Sequence, residues 1–119
     1  MAERIEVQIL ADRVREVLPA ECVTAKRMFG GITFLLNGNM LCCASKQGLM
    51  VRVGKDAEPQ ALSRPFASRC LGAGRPMAGF IMVEHEGIAN SATLQEWLKM
   101  ARHYVEALPP APTYAKRPE

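Results

Sequence analysis

The sequence predicts an α+β fold, a two-layer sandwich in which one antiparallel sheet carries its helices on one face. Three observations predict it. Apolar residues recur at intervals of three and four near both ends of the chain. From Cys22 to Val53 the pattern changes to short β-type runs broken at turn residues. A further apolar run, Met77 to Val83, follows a stretch punctuated by Gly and Pro. A sheet with one apolar face needs a cover, and the two striped helices can supply it. The other face is expected to be solvated or to form a dimer contact.

The first helix is read over Glu3 to Leu18, with Val7, Leu10, Ala11, Val14, Val17 and Leu18 at helical spacing. Arg4, Glu6, Arg13 and Glu16 lie among the other positions, and Pro19 stops the helix. Val23 to Phe29, Ile32 to Leu36, Met40 to Ser45 and Leu49 to Val53 then read as strands of an antiparallel meander of three or four strands. Asn37-Gly38-Asn39 makes the first tight hairpin, because Asn-Gly takes positive φ at little cost. Lys46-Gln47-Gly48 makes a second.

Gly54 breaks the run. Lys55 to Leu62 suits a short helix interrupted or kinked at Pro59, and Arg64-Pro65 ends it. Gly72, Gly74, Arg75 and Pro76 read as a loop. Met77 to Val83 is apolar throughout, so it is expected to be central or covered on both faces. Ser91 or Asn90 caps a last helix, with Leu94, Trp97, Leu98, Ala101, Tyr104, Val105 and Leu108 along its stripe. Pro109-Pro110 ends it. One domain over residues 1–108 is expected, then a flexible tail over 109–119.

Composition bounds the function. The chain has 119 residues, 49% apolar and 23% charged, which is one folded globule. No apolar run approaches the roughly 18 to 20 residues of a membrane span, and the N-terminus lacks the pattern of a signal peptide. A reducing cytoplasm is the expected location. The formal charge is +3, one unit of it from Lys116, Arg117 and Glu119 in the tail, too little to imply nucleic-acid binding by itself. Cys22, Cys42, Cys43 and Cys70 show no zinc-type spacing. They are expected to be small buried apolar residues, with a thiol sensor or ligand as the alternative.

"RMFGGITFLLNGNM" (residues 27–40), "GLMVRVG" (48–54) and "GRPMAGFIMV" (74–83), in that order, resemble the TfoX (Sxy) N-terminal domain family. The resemblance runs from about the first helix to Leu108. It implies a two-layer α+β sandwich like that of YgaC and of secretion chaperones. It also implies a regulatory role, since full-length TfoX proteins regulate competence for DNA uptake and act with a catabolite-activator-type transcription factor. Those proteins carry a second, C-terminal domain, which this chain is expected not to include, as a short stand-alone member. No catalytic set is implied.

Gly30-Gly31 is the most conspicuous local feature. One glycine is expected to take positive φ in a turn or bulge while the other lets a neighbouring backbone approach. The alternative is a ligand or peptide notch beside Lys26 and Arg27. The "GAGRP" stretch lacks a phosphate-loop pattern and leads to a strand. His85 and His103 read as surface residues, and no nucleophile, metalloprotease or paired-carboxylate motif is present. Seven methionines, among them Met28, Met40, Met50, Met77 and Met82 in strands, are expected to pack the core. The alternative is an apolar patch for a partner on the uncovered face.

The leading expectation is therefore a non-enzymatic regulatory or protein-interaction module, binding through the open sheet face or an edge strand. The candidate interaction residues are Lys26, Arg27, Met28, Phe29, Gly30, Gly31, Arg75, Met77 and Phe80. No catalytic, cofactor or metal residues are expected. The expected partner is a protein, with a second copy of the chain as one candidate. Two other classes stand beside it. One is a nucleic-acid-binding accessory factor using Arg27, Arg52, Arg64, Arg69 and Arg75 with Phe29, Phe66 and Phe80. The other is a small-molecule site or enzyme near Cys22, Cys42 and the glycine pair.

Overall fold

The computed structural model describes residues 2–18, 23–28, 30–72 and 74–110. Helix α1 (Ala2–Val17) is followed by four antiparallel strands, β1 (Val23–Met28), β2 (Gly31–Leu36), β3 (Asn39–Ser45) and β4 (Gly48–Arg52). A 3-10 turn (Lys55–Ala57) leads into the short helix α2 (Glu58–Leu62). Strands β5 (Ala67–Gly72) and β6 (Arg75–Glu84) form a hairpin, and a second 3-10 turn (His85–Ile88) leads into α3 (Ser91–Val105). The six strands make one sheet in the order β1-β2-β3-β4-β6-β5. After β4 the chain passes over the place β6 will take, lays down β5 at the edge, and turns back so that β6 pairs with both.

All three helices lie on one face, as expected. Leu10, Ala11 and Val14 of α1, Ala61 of α2, and Leu94, Trp97, Leu98, Ala101 and Val105 of α3 share one buried core with Ile32, Phe34, Ala44, Leu49, Val51, Ile81 and Val83 of the sheet. These strand residues alternate along their chains, as burying one sheet face requires. Asn90 caps α3, its Oδ1 accepting from the Ala92 N–H at 2.7 Å. Arg13 of α1 donates to the Ile88 carbonyl at 2.7 Å, tying the first helix to the turn before the last. Among the described residues no buried side-chain polar atom lacks a partner.

Several sequence expectations change. The expected loop at Gly72, Gly74, Arg75 and Pro76 is instead the turn of the β5–β6 hairpin, with Gly72 opposite Arg75 and positive φ at Gly74. Strand β5 was not foreseen, because "ASRCLG" lacks a clean alternation. Pro59 opens α2 at its first turn, where a missing N–H costs nothing, rather than kinking it. β6 is interior in the strand order, but helices cover only its Ile81 and Val83 side. Met77, Phe80 and Met82 pack on the other face. Of the expected tail, Pro109 is described, its carbonyl accepting from Asn39 Nδ2 at 2.8 Å. Residues 111–119 lie outside the described residues.

Two irregularities set which side chains reach the uncovered face. Phe34 lies opposite Cys42 while Leu35 lies opposite Met40, so Leu41 is the extra residue of a bulge. Leu41 and Cys42 consequently both join the core, and Met40 and Cys43 both turn to the other side. In β6 the register jumps between Ile81 and Pro76 around Gly79, whose φ is +84°. The Gly79 carbonyl accepts from the N–H groups of Val53 and Gly54 at 2.8 and 3.1 Å, and its own N–H donates to the Glu58 carboxylate.

Candidate functional site

The uncovered face is a trough built largely of sulfur-bearing side chains. A hollow of about 450 Å³ at one end is lined by Lys26, Met28, Leu35, Asn39, Met40, Arg52, Met77 and Phe80. A second hollow, of about 580 Å³, continues from it and shares Met40 and Met77. Cys43, Met50, Cys70 and Met82 line this second part, with Ser45, Gln47, Ser68, Arg69 and Leu71. Met28, Met40, Met77 and Met82 are half-buried and Met50 is buried.

Strict alternation would place Met40 and Cys43 on opposite faces, and likewise Met77 and Phe80. The bulge at Leu41 and the positive φ at Gly79 bring both pairs to the trough.

Cations occur in both hollows, with Arg69 of the larger one paired with Glu58 at 3.2 Å. Lys26 and Arg52 line the smaller hollow, and among the described residues no carboxylate does. The Arg52 guanidinium sits 5.5 Å from the Phe80 ring centroid and 5.7 Å from that of Tyr104, with Nη1 donating to the Met40 carbonyl at 3.4 Å. Ring faces and a backbone acceptor hold the cation in place without neutralising it.

The thiols are protonated at neutral pH. Burial pushes the Cys42 thiol far up, with Cys43 adding to it. Burial also raises Cys43, opposed by a hydrogen bond with Thr33, and raises Cys70, with Cys43 adding to it. Cys42, Cys43 and Cys70 are free and buried. Cys42 faces the helices and the other two face the trough. Among the described residues no group of three His, Cys, Asp or Glu side chains is placed to hold a metal ion.

A family model, the TfoX N-terminal domain, matches residues 16–104. The chain belongs to the TfoX N-terminal domain family. No curated protein and no solved structure matches it significantly. The matched span contains all six strands, so the trough is formed within the TfoX-type part of the chain.

On this TfoX-type sheet, Lys26, Met28, Met77 and Phe80 come together in the smaller hollow. Arg27 lies between Lys26 and Met28 on β1 and alternates to the other side, opposite Ile32 of the core. The Arg75 backbone pairs at the hairpin turn, while its side chain, Phe29 and Cys22 lie outside what is described. Gly30 and Gly31 behave as their structural reading expects. Gly30 has φ +75°, and a Cβ on Gly31 would stand 2.1 Å from the Ala44 carbonyl oxygen.

The expectation that the strand methionines pack the core holds for Met50, buried with Cys43 and Cys70 in a small cluster apart from the helix-side core, while the uncovered-face alternative describes the half-buried rest. Met28, Met40, Met50, Met77 and Met82 all line the trough. Met40 and Met50 belong to the uncovered-face patch that the methionine-rich strands suggest, whereas nothing in the sequence places Cys43 and Cys70 beside them, because their faces follow from the bulge at Leu41 and the irregular β5–β6 pairing. Of the arginines offered for nucleic acid, Arg52 and Arg69 line the trough, Arg64 lies on the helix side, and the Arg75 side chain is outside the described residues. Arg64 pairs with Glu96 at 2.9 Å on the helix side, Arg69 pairs with Glu58 at 3.2 Å, and Arg52 is held in the trough. His103 is exposed, and His85 Nε2, at the start of the second 3-10 turn, meets the Lys46 carbonyl of the β3–β4 turn at 2.9 Å. Among the described residues no helix is long and apolar enough to cross a membrane.

Proposed function

We propose that this domain is a non-enzymatic regulatory module that docks a partner protein in the methionine trough of its open sheet face. The observation that carries the reading is the gathering of Met28, Met40, Met50, Met77 and Met82 on the one sheet face without helices. Thioether side chains are unbranched and polarisable, so they adapt to an incoming apolar segment at low cost. Two backbone irregularities deliver side chains to this face, as expected where a sheet is shaped for contact. Membership of the TfoX N-terminal domain family supports a regulatory role. Lys26 and Arg52, at an end where no described carboxylate lies, favour a segment that combines apolar side chains with an acidic residue.

The test substitutes Met40→Lys and Met77→Lys singly, with Ile9→Lys on the exposed side of α1 as the control. Each trough position is half-buried, so a lysine can extend its ammonium to water without collapsing the fold. Partners retained by the tagged wild-type chain are expected to be lost from both trough variants and kept by the α1 variant. Retention of every partner by both trough variants overturns the reading. Sedimentation of the chain alone distinguishes a second copy from a different protein as the occupant.

A further inference from the structure

The larger hollow holds a second chemistry that docking does not require. Six sulfur-bearing side chains line it, those of Met40, Cys43, Met50, Cys70, Met77 and Met82, while among the described residues no carboxylate and no imidazole does. Cys70 Sγ lies 3.0 Å from Met50 Sδ. Met50 stands directly across from Cys43 on the neighbouring strand and across from Met82 on the other side. Cys43, Met50 and Cys70 form one buried cluster, against which Met40, Met77 and Met82 pack.

These cysteines are not placed for a disulfide. Cys43 is on β3 and Cys70 on β5, with β4 and β6 between them. At about 4.8 Å per strand, their Cα atoms stand well beyond the roughly 4.4 to 6.8 Å that a disulfide spans.

We propose that the Cys70–Met50 pair is the nucleus of a binding site for a soft monovalent cation, Cu(I), completed by a third sulfur from the same hollow. The chemistry of the donor set carries the choice of ion. Thiolate and thioether ligands select Cu(I), whereas calcium and magnesium need oxygen ligands, and zinc sites use thiolate, imidazole or carboxylate donors. Thioethers remain available as ligands at any pH. On binding, the Cys70 S–H bond gives way to an S–Cu bond and the proton leaves to solvent, with no change in oxidation state of copper or sulfur. Met50 supplies its lone pair without losing a proton. Cys42 is excluded, because it alternates with Cys43 and faces the helix-side core with Ala44.

The test supplies Cu(I) to the chain anaerobically, in the presence of a colourless chelator that turns coloured on binding Cu(I). Cys22→Ala forms the background throughout, removing the thiol outside the described residues. One equivalent of Cu(I) per chain is expected to be withheld from the chelator, with sulfur-only coordination in X-ray absorption. Met50→Leu keeps the volume and shape of the side chain and removes only its donor. Met50→Leu and Cys70→Ala are each expected to weaken retention by at least about tenfold, the lower range for disturbing even an outer ligand partner. Cys42→Ala retains it. Circular dichroism confirms that each variant is folded. The proposal fails if the background chain yields its copper as readily as Cys70→Ala does, or if Met50→Leu retains it undiminished.

Discussion

Gly30 and Gly31 are adjacent and do different work. At Gly30 a side chain would meet nothing within 4 Å, so only the positive φ of +75° resists substitution. At Gly31 the conformation is ordinary, but an added Cβ would stand 2.1 Å from the Ala44 carbonyl oxygen, a backbone atom that cannot swing aside. Gly30→Ala is therefore expected to cost about 1 kcal/mol, the ordinary penalty for a left-handed alanine. Gly31→Ala must push β2 from β3 and is expected to cost about 3 kcal/mol, at the upper end of overpacking penalties. Denaturant midpoints at unchanged slope measure both. Equal losses at the two positions would contradict the separation of roles. The same pair shows how chain chemistry carries local information. Two consecutive glycines before a β-branched residue signal a turn followed by a close approach. They do not say which neighbour approaches, because that depends on the pairing with β3.

Elements with strong periodicity were legible, and those shaped by irregularity were not. The stripes of α1 and α3 and the Asn-Gly turn place helices and hairpins directly, since each depends on a few neighbouring residues. Strand β5 escaped because its residues alternate poorly and its edge position demands little burial. The faces of Met40, Cys43, Met77 and Phe80 escaped for a different reason. A bulge moves every side chain beyond it to the opposite face, and nothing at Leu41 announces one. At Gly79 the signal is present, a glycine inside an apolar run, but the apolar residues around it match an uninterrupted strand equally well. Gly79 is the joint between β4, β6 and α2, since it binds Val53, Gly54 and Glu58 together. An added Cβ there would meet Gly54 backbone atoms at 3.2 Å with φ at +84°. Gly79→Ala is expected to destabilise the fold by about 2 kcal/mol. A neutral substitution, read by the same denaturant midpoint, would show that the joint is slack.

The whole molecule is a two-sided sheet whose sides are built on different rules. The helix side is closed with Leu, Ile, Val and one Trp, residues with few rotamers that lock a single packing. The other side is half-buried and methionine-lined, with Lys26 and Arg52 at one end, and no helix of the described residues covers it. A domain that needed only stability would gain little by placing its adaptable residues there. The contrast is the basis of the proposed division, in which one face maintains the fold and the other is offered for recognition. A photo-reactive phenylalanine analogue placed at Phe80 in the trough, and separately at Ile9 on the outer side of α1, compares the two surfaces in the cell. Both native residues are large and apolar, and Ile9 is 55% exposed, so simple stickiness would label from α1 at least as well. Discrete cross-linked adducts from Phe80 and none from Ile9 are the expected result; adducts from Ile9 alone would place the working surface on the helices and contradict the account.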